Sequence, residues 1–162
     1  GTNLFSVSQL ARYVSAVADR GTVYNLTLLD RLTDSEGNTI EDYPVSVYNK
    51  IHMADSSWNV IQEGMHQVAL NTDAFDSLNL TVAGKTGTAQ QSLRHPNHAL
   101  FVGYAPYENP EIAIAIRIAN GYTSANAAAM AADIFRYCFD LVDEEELLTG
   151  TASEATTEVI SD

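Results

Sequence analysis

The chain has 162 residues, 46% of them hydrophobic and 18% charged, the composition of one soluble globular domain with a packed core rather than a repeat array or a disordered polymer. With 21 acidic against 8 basic residues the formal net charge is −13, which repels phosphate backbones and anionic membrane surfaces and excludes nucleic acid as a partner. The single cysteine, Cys138, allows no internal disulfide, no Cys and His cluster has metal-site spacing, and no apolar run approaches the roughly 18 to 20 residues of a membrane span; no cofactor is expected.

The chain opens at Gly1-Thr2-Asn3 without an initiator Met, and the expectation is a piece of a longer polypeptide. Leu10, Val14, Val17 and Ala18 recur at helical spacing over Ser6 to Asp19, Ser6 with Gln9 forms a capping box, and Gly21 closes the helix. Thr22 to Thr33 and Thr39 to Tyr48 are extended runs joined by the turn Asp34-Ser35-Glu36-Gly37-Asn38, a hairpin whose second strand Pro44 places at an edge. A second helix spans about Ser57 to Asn71, with Trp58, Ile61, Met65, Val68 and Ala69 on one face and Asp55 or Ser56 as its cap. Strands follow at Leu80 to Gln90, His98 to Ala105 and Glu111 to Ala119. The turn between the last two, residues 106–110, is too short for a crossover helix, so they are antiparallel neighbours.

In the third of these strands Ile112, Ile114, Ile116 and Ile118 alternate with Ala113, Ala115, Arg117 and Ala119, so one face is branched and buried and the other lets a helix lie close. A long alanine-rich helix runs from Thr123 to about Leu147, with Ser124 as cap and Met130, Ile134, Tyr137, Cys138 and Leu141 as its apolar stripe, which makes Cys138 a core thiol. The fold class is α/β in the α+β sense: an antiparallel sheet flanked by helices over residues 1–148. Residues 149–162, acidic and without Lys or Arg, form a disordered tail.

The chemistry concentrates at Gly84-Lys85-Thr86-Gly87-Thr88. A strand that carries a cation, two hydroxyls and a glycine in succession makes an anion-recognising edge: Gly87 lets a ligand approach the backbone, and the Thr88 N–H is free to point at an oxyanion. The letters Gly84-Lys85-Thr86 also end a P-loop, but that motif needs a glycine where Asn79 stands and a helix beginning at the lysine.

With these residues the chain resembles the C-terminal part of the transpeptidase domain of class B penicillin-binding proteins, of whose superfamily K-T-G is a signature. The resemblance extends to Leu10-Ala11-Arg12-Tyr13 with Ala18-Asp19-Arg20-Gly21, to residues 58–65, to His98 through Pro106, and to Asn109-Pro110-Glu111-Ile112-Ala113, covering about Asn3 to Phe139 in family order. It implies a partial fold of the serine β-lactamase and penicillin-binding-protein type. It also implies a parent enzyme in which a serine of an S-x-x-K motif is acylated by a D-Ala-D-Ala stem peptide of peptidoglycan or by a β-lactam. By the same resemblance the parent is extracytoplasmic and anchored to the cell membrane by a segment outside this chain.

Carried over residue by residue, Lys85 supplies positive charge for the substrate carboxylate and influences proton movement near the serine. Thr86 and Thr88 hydrogen-bond that carboxylate beside Gly87, and the Thr88 N–H is half of the oxyanion hole. The chain departs from the family at the nucleophile: its lysines are Lys50 and Lys85, and Val47 and Val82 stand three positions before them, so it contains no S-x-x-K. Ser57-Trp58-Asn59, Ser77-Leu78-Asn79 and Ser124-Ala125-Asn126 match S-x-N in letters, but each fits a capping or loop role. The leading reading is therefore a transpeptidase fragment, inactive alone. The alternative is a non-catalytic module that recognises carboxylates or β-lactams. The surface and strand edge left without the missing half are expected to drive self-association, with a homodimer as the simplest form. His95 and His98 are spaced H-x-x-H in a Pro-containing loop and read as exposed or strand-start residues, and His52 and His66 have no partner in sequence.

Overall fold

The computed structural model describes residues 4–91 and 93–147. The tail expected at 149–162 lies outside the described residues. In chain order the elements are α1 (Val7–Ala18), β1 (Thr22–Tyr24), β2 (Arg31–Thr33), β3 (Thr39–Asp42), β4 (Val47–Lys50), α2 (Asp55–Leu70), a 3₁₀ turn at Asp73–Phe75, β5 (Ala83–Ala89), β6 (His98–Ala105), β7 (Ile112–Ile118), α3 (Ser124–Cys138) and α4 (Glu144–Leu147).

The body is an antiparallel sheet in the order β5-β6-β7, its ladder running from Ala83 opposite Tyr104 to Ala89 opposite His98, and from Ala99 opposite Ile118 to Ala105 opposite Ile112. Side chains alternate across it. On one face Val82, Phe101, Ala105, Ile112, Ile114, Ile116 and Ile118 pack with Phe75 and α3, and on the other Ala83, Val102, Tyr104 and Ala113 pack with Val14 and Ala18 of α1 and Met65 of α2. The branched face of β7 and its small face therefore each receive a helix, as the Ile and Ala alternation implies.

The capping box at Ser6 and Gln9 is present, each backbone N–H meeting the other's side chain. The expected hairpin is a long ribbon in which β1 pairs with β4 and β2 with β3. Its ladder breaks at Pro44, which has no N–H, and isolated bonds from Asn25 N–H to Ser46 C=O at 2.9 Å and Tyr43 N–H to Asp30 C=O at 2.8 Å span the gap. Asp34 holds the turn by accepting from the N–H groups of Glu36 and Asn38, both at 2.9 Å. With its further bond to the Asn38 side chain, this keeps its carboxyl below the ordinary aspartate range.

Three sequence expectations are corrected. The N-cap of α2 is Ala54, with no side-chain bond, and that of α3 is Thr123, whose hydroxyl accepts from Ala125 N–H; neither Asp55, Ser56 nor Ser124 serves. The buried stripe of α3 is Ala127, Ala128, Ala131, Ala132 and Phe135, whereas Met130 is 46% and Tyr137 57% exposed, and Cys138 is an exposed thiol rather than a core one. The sheet already supplies isoleucine and phenylalanine bulk, so the helix face against it must be small. Finally, α3 ends at Cys138 with Phe139 as C-cap, and Asp140 adopts a positive φ of 50°, which interrupts the helix before α4.

Tyr104 is fully buried and its hydroxyl has no hydrogen-bond partner. Burial, with a smaller contribution from Tyr107, pushes its phenol from 10.0 up to about 12. The folded chain thus keeps a proton that the unfolded chain releases, so this contribution is whole below pH 10 and is lost as pH rises toward about 12. Tyr104→Phe should leave stability at neutral pH within about 1 kcal/mol of the unsubstituted chain, because no bond is lost. It should also flatten the decline across that alkaline window. Chemical denaturation at several pH values checks both, and an unchanged alkaline slope would refute the assignment.

Candidate functional site

The residues singled out in the sequence lie along β5, an edge strand. Lys85 stands opposite Val102, Thr86 opposite Phe101, Gly87 opposite Leu100 and Thr88 opposite Ala99. The strand is extended through Thr86, so no helix begins at the lysine and the P-loop geometry is absent. Lys85 and Thr88 are exposed, while Thr86 and Gly87 are half-buried. Lys85 Nζ donates to the Thr86 carbonyl at 2.7 Å. By alternation Lys85 and Gly87 belong to the α1 face and Thr86 and Thr88 to the α3 face, so these groups can act on one ligand only across the strand's outer edge. That edge has no strand partner among the described residues.

Two polar clusters fix the ends of this strand. At its start, Val82 C=O lies 2.7 Å from His66 Nδ1 of α2, and since a carbonyl only accepts, the proton is on Nδ1. The His66 ring stacks on Tyr107 with centroids 4.1 Å apart and planes 3° from parallel. Tyr107 in turn donates its backbone N–H to Thr81 C=O at 3.0 Å and its hydroxyl to Glu63 Oε2 at 3.0 Å, and the Thr81 hydroxyl donates to the Glu108 carboxylate. Bonds from Gln67 and then Tyr107 hold the Glu63 carboxyl below its ordinary range, and the same bond to Glu63 raises the Tyr107 phenol. The lead-in to β5 is thereby tied to α2 and to the β6–β7 turn.

At the far end His98, buried at the first position of β6, accepts the Asn120 N–H on Nδ1 at 3.0 Å. Its Nε2 lies 2.7 Å from Gln91 Oε1 and 3.0 Å from Arg117 Nη2, a side-chain junction that anchors the segment leaving β5. His95 is exposed. The S-x-N matches fall elsewhere: Ser57 is in the first turn of α2, Ser77 Oγ accepts from Arg136 Nη2 at 2.8 Å, and Ser124 opens α3. A cleft of about 620 Å³ lined by His66, Phe75, Asp76, Asn79 and Thr81 lies beside the lead-in, and its lining includes none of Lys85 to Thr88.

Sequence reasoning did not single out His66, Tyr107 or Thr81 as supports of the strand. The only available signal was that His66 and Tyr107 flank the K-T-G strand from two elements, and their stacking depends on tertiary placement. His66→Ala should cost about 1 kcal/mol and speed amide exchange at the start of β5. His66→Asn, which can return one N–H to Val82, should restore part of both. Hydrogen exchange that is unchanged in the alanine variant would show that His66 does not hold the strand.

The family model of the penicillin binding protein transpeptidase domain matches residues 3–139. Penicillin-binding protein 2B of Streptococcus pneumoniae strain R6 is 29% identical over 127 residues, covering 69% of this chain and 19% of that protein. Its solved structure superposes with a TM-score of 0.74 at 25% identity, covering 85% of this chain and 25% of that one. The peptidoglycan D,D-transpeptidase MrdA of Haemophilus influenzae is 29% identical over 151 residues, 80% of this chain and 23% of that protein. An imipenem acyl-enzyme complex of penicillin-binding protein A from M. tuberculosis shares the fold, with a TM-score of 0.76 at 19% identity over 86% of this chain and 32% of that chain. The chain thus spans about a fifth of the length of the curated relatives it matches.

Proposed function

The chain belongs to the penicillin-binding protein transpeptidase domain family, and on that premise we propose that β5 is one wall of the acyl-transfer cleft of a larger peptidoglycan D,D-transpeptidase. In this reading the stem peptide's terminal carboxylate lies along the outer edge of the strand. Lys85 supplies the positive charge, Thr86 and Thr88 donate hydroxyl hydrogen bonds, and Gly87 leaves room for the ligand against the backbone. The Thr88 N–H is one donor of the oxyanion hole, an interaction whose loss typically costs about 100- to 1,000-fold in rate. β-Lactams occupy the same edge.

The observation that carries this reading is an extended Lys85 to Thr88 segment, with Lys85 and Thr88 exposed, at an edge whose two ends are pinned by His66 and His98. The nucleophilic serine and its S-x-x-K lysine come from the remainder of the enzyme, as this sequence contains no such pair. The parent is extracytoplasmic and membrane-anchored through another segment; among the described residues no helix is long and apolar enough to cross a membrane.

Fluorescent penicillin tests the proposal. It should not label this chain covalently, and it should label the intact transpeptidase domain, where Lys85→Ala should slow acylation at least about 100-fold. A stable mass increase of one β-lactam on this chain would place the nucleophile inside it, and reversible binding by the intact domain without acylation would favour a recognition module.

The outer edge of β7 is unpaired among the described residues, and apart from the buried Ile116 its Ile and Ala side chains are only partly covered. This supports self-association of the chain in isolation, as a homodimer through that surface. Light scattering over a dilution series should show mass falling toward the monomer on dilution, and a monomer at every concentration would oppose it.

A further inference from the structure

The acidic residues are not spread evenly over the sheet. No Asp or Glu occurs from Ser77 to Tyr107 or from Ile112 to Ala132, stretches that contain β5, β6, β7 and the first half of α3, whereas Lys85, Arg94 and Arg117 all fall within them. The acids between these stretches, Glu108 and Glu111, belong to the β6–β7 turn, at the end of the sheet where β5 begins. The opposite end, where β5 leaves for β6 and β7 stops, is therefore cationic in a chain of formal charge −13.

Arg117 is placed to meet a ligand at that end. It stands opposite Leu100, which stands opposite Gly87 of β5, so Gly87, Leu100 and Arg117 form one row across the sheet. Its Nη2 lies 3.0 Å from His98 Nε2, and that ring nitrogen lies 2.7 Å from Gln91 Oε1, which brings the guanidinium to the segment leaving β5. Arg117 is exposed, and the ion pairs of the described residues, formed by Arg20, Arg31 and Arg136, do not include it. Arg94 is exposed in the same loop as Gln91.

We propose that Arg117 is a specificity-determining residue that takes a second carboxylate of the peptide substrate, with Arg94 of the β5–β6 loop adding positive charge at the same end. This rests on the reading of β5 as the wall that holds the terminal carboxylate at Lys85 to Thr88. With the scissile carbonyl at the Thr88 N–H, the residues ahead of it continue past Thr88 along the outer edge, advancing about 3.4 Å per residue. The first one or two of them draw level with Gln90 and Gln91, beside the Arg117 guanidinium. A carboxylate there gains a charge-assisted pair with an arginine that has no acid of its own, and a carboxamide in the same place does not.

The test uses the intact transpeptidase domain and two thioester peptides with the same acyl-donor end, one bearing a free side-chain carboxylate on the residue ahead of it and the other the carboxamide. The acid should acylate the domain with a kcat/KM at least about 5-fold above that of the amide, and the ratio should shrink as salt is raised. Arg117→Gln should bring the acid down to the rate of the amide while leaving the amide itself and fluorescent penicillin labelling unchanged. Arg117→Lys, the milder change, should keep part of the preference. Equal rates for acid and amide in the unsubstituted domain, or a preference that persists in Arg117→Gln, would overturn the proposal. Equilibrium binding of the same two peptides reports separately on the enzymatic reading: a domain that is acylated by neither penicillin nor thioester, but binds the acid more tightly through Arg117, retains the subsite and loses the proposed activity.

Discussion

The ring of Phe101 lies across two glycines on neighbouring strands, and the rest of the body is arranged around it. A Cβ built on Gly84 would stand 2.3 Å from its Cζ, and one built on Gly103 would stand 2.6 Å from its Cε1. No larger residue is compatible with the ring where it lies. Phe101 is 1% exposed, and Phe75 meets it with centroids 5.4 Å apart at 48°, so the ring is closed in by the turn ahead of β5 as well as by the sheet. Gly84 immediately precedes Lys85, and Phe101 is the cross-strand partner of Thr86. The candidate site is therefore the continuation of the most tightly packed part of the core, which gives an exposed edge strand a defined position.

The parts of this structure that were legible in the sequence are those that local chemistry decides. The Ser6 and Gln9 box fixes the start of α1, the Asp34 to Asn38 turn fixes the ribbon's tip, and the five-residue link after Ala105 forces an antiparallel pair. The K-T-G strand was legible because glycines and β-branched residues around Lys85 disfavour a helix. The face of α3 was not legible. Hydrophobicity ranks Met130, Tyr137 and Cys138 above alanine, but the isoleucines and Phe101 of the sheet had already filled the space, and only methyl groups fit against them. The same blindness applied to His66 and Tyr107, whose role is set by two elements meeting over Val82 C=O rather than by any spacing along the chain.

Electrostatics divides the molecule in a way that composition alone conceals. A formal charge of −13 repels an anionic ligand at long range, and that field is screened within roughly 8–10 Å in physiological salt. On the proposed reading, recognition of a carboxylate at β5 comes from contact: one ammonium group, hydroxyls and backbone N–H groups on a strand held at both ends. Pinning matters for such a site, since short-range hydrogen bonds lose strength steeply with misalignment. His66 and His98 provide it through different ring nitrogens, the first by Nδ1 to the Val82 carbonyl and the second by Nε2 beside Gln91 and Arg117.

The alanine seam of α3 has a mechanical consequence. Ala127, Ala128, Ala131 and Ala132 have no side-chain torsion that moves a heavy atom, so along these four positions the helix has no alternative rotamers with which to absorb a shift of the sheet. Displacement of β6 or β7 must be followed by the whole helix or must open a gap along its length. The seam therefore behaves as a rigid joint: it transmits motion undiminished at small amplitude and separates all at once at large amplitude, and the cooperativity of unfolding on this face is built into residues that contribute little bulk of their own.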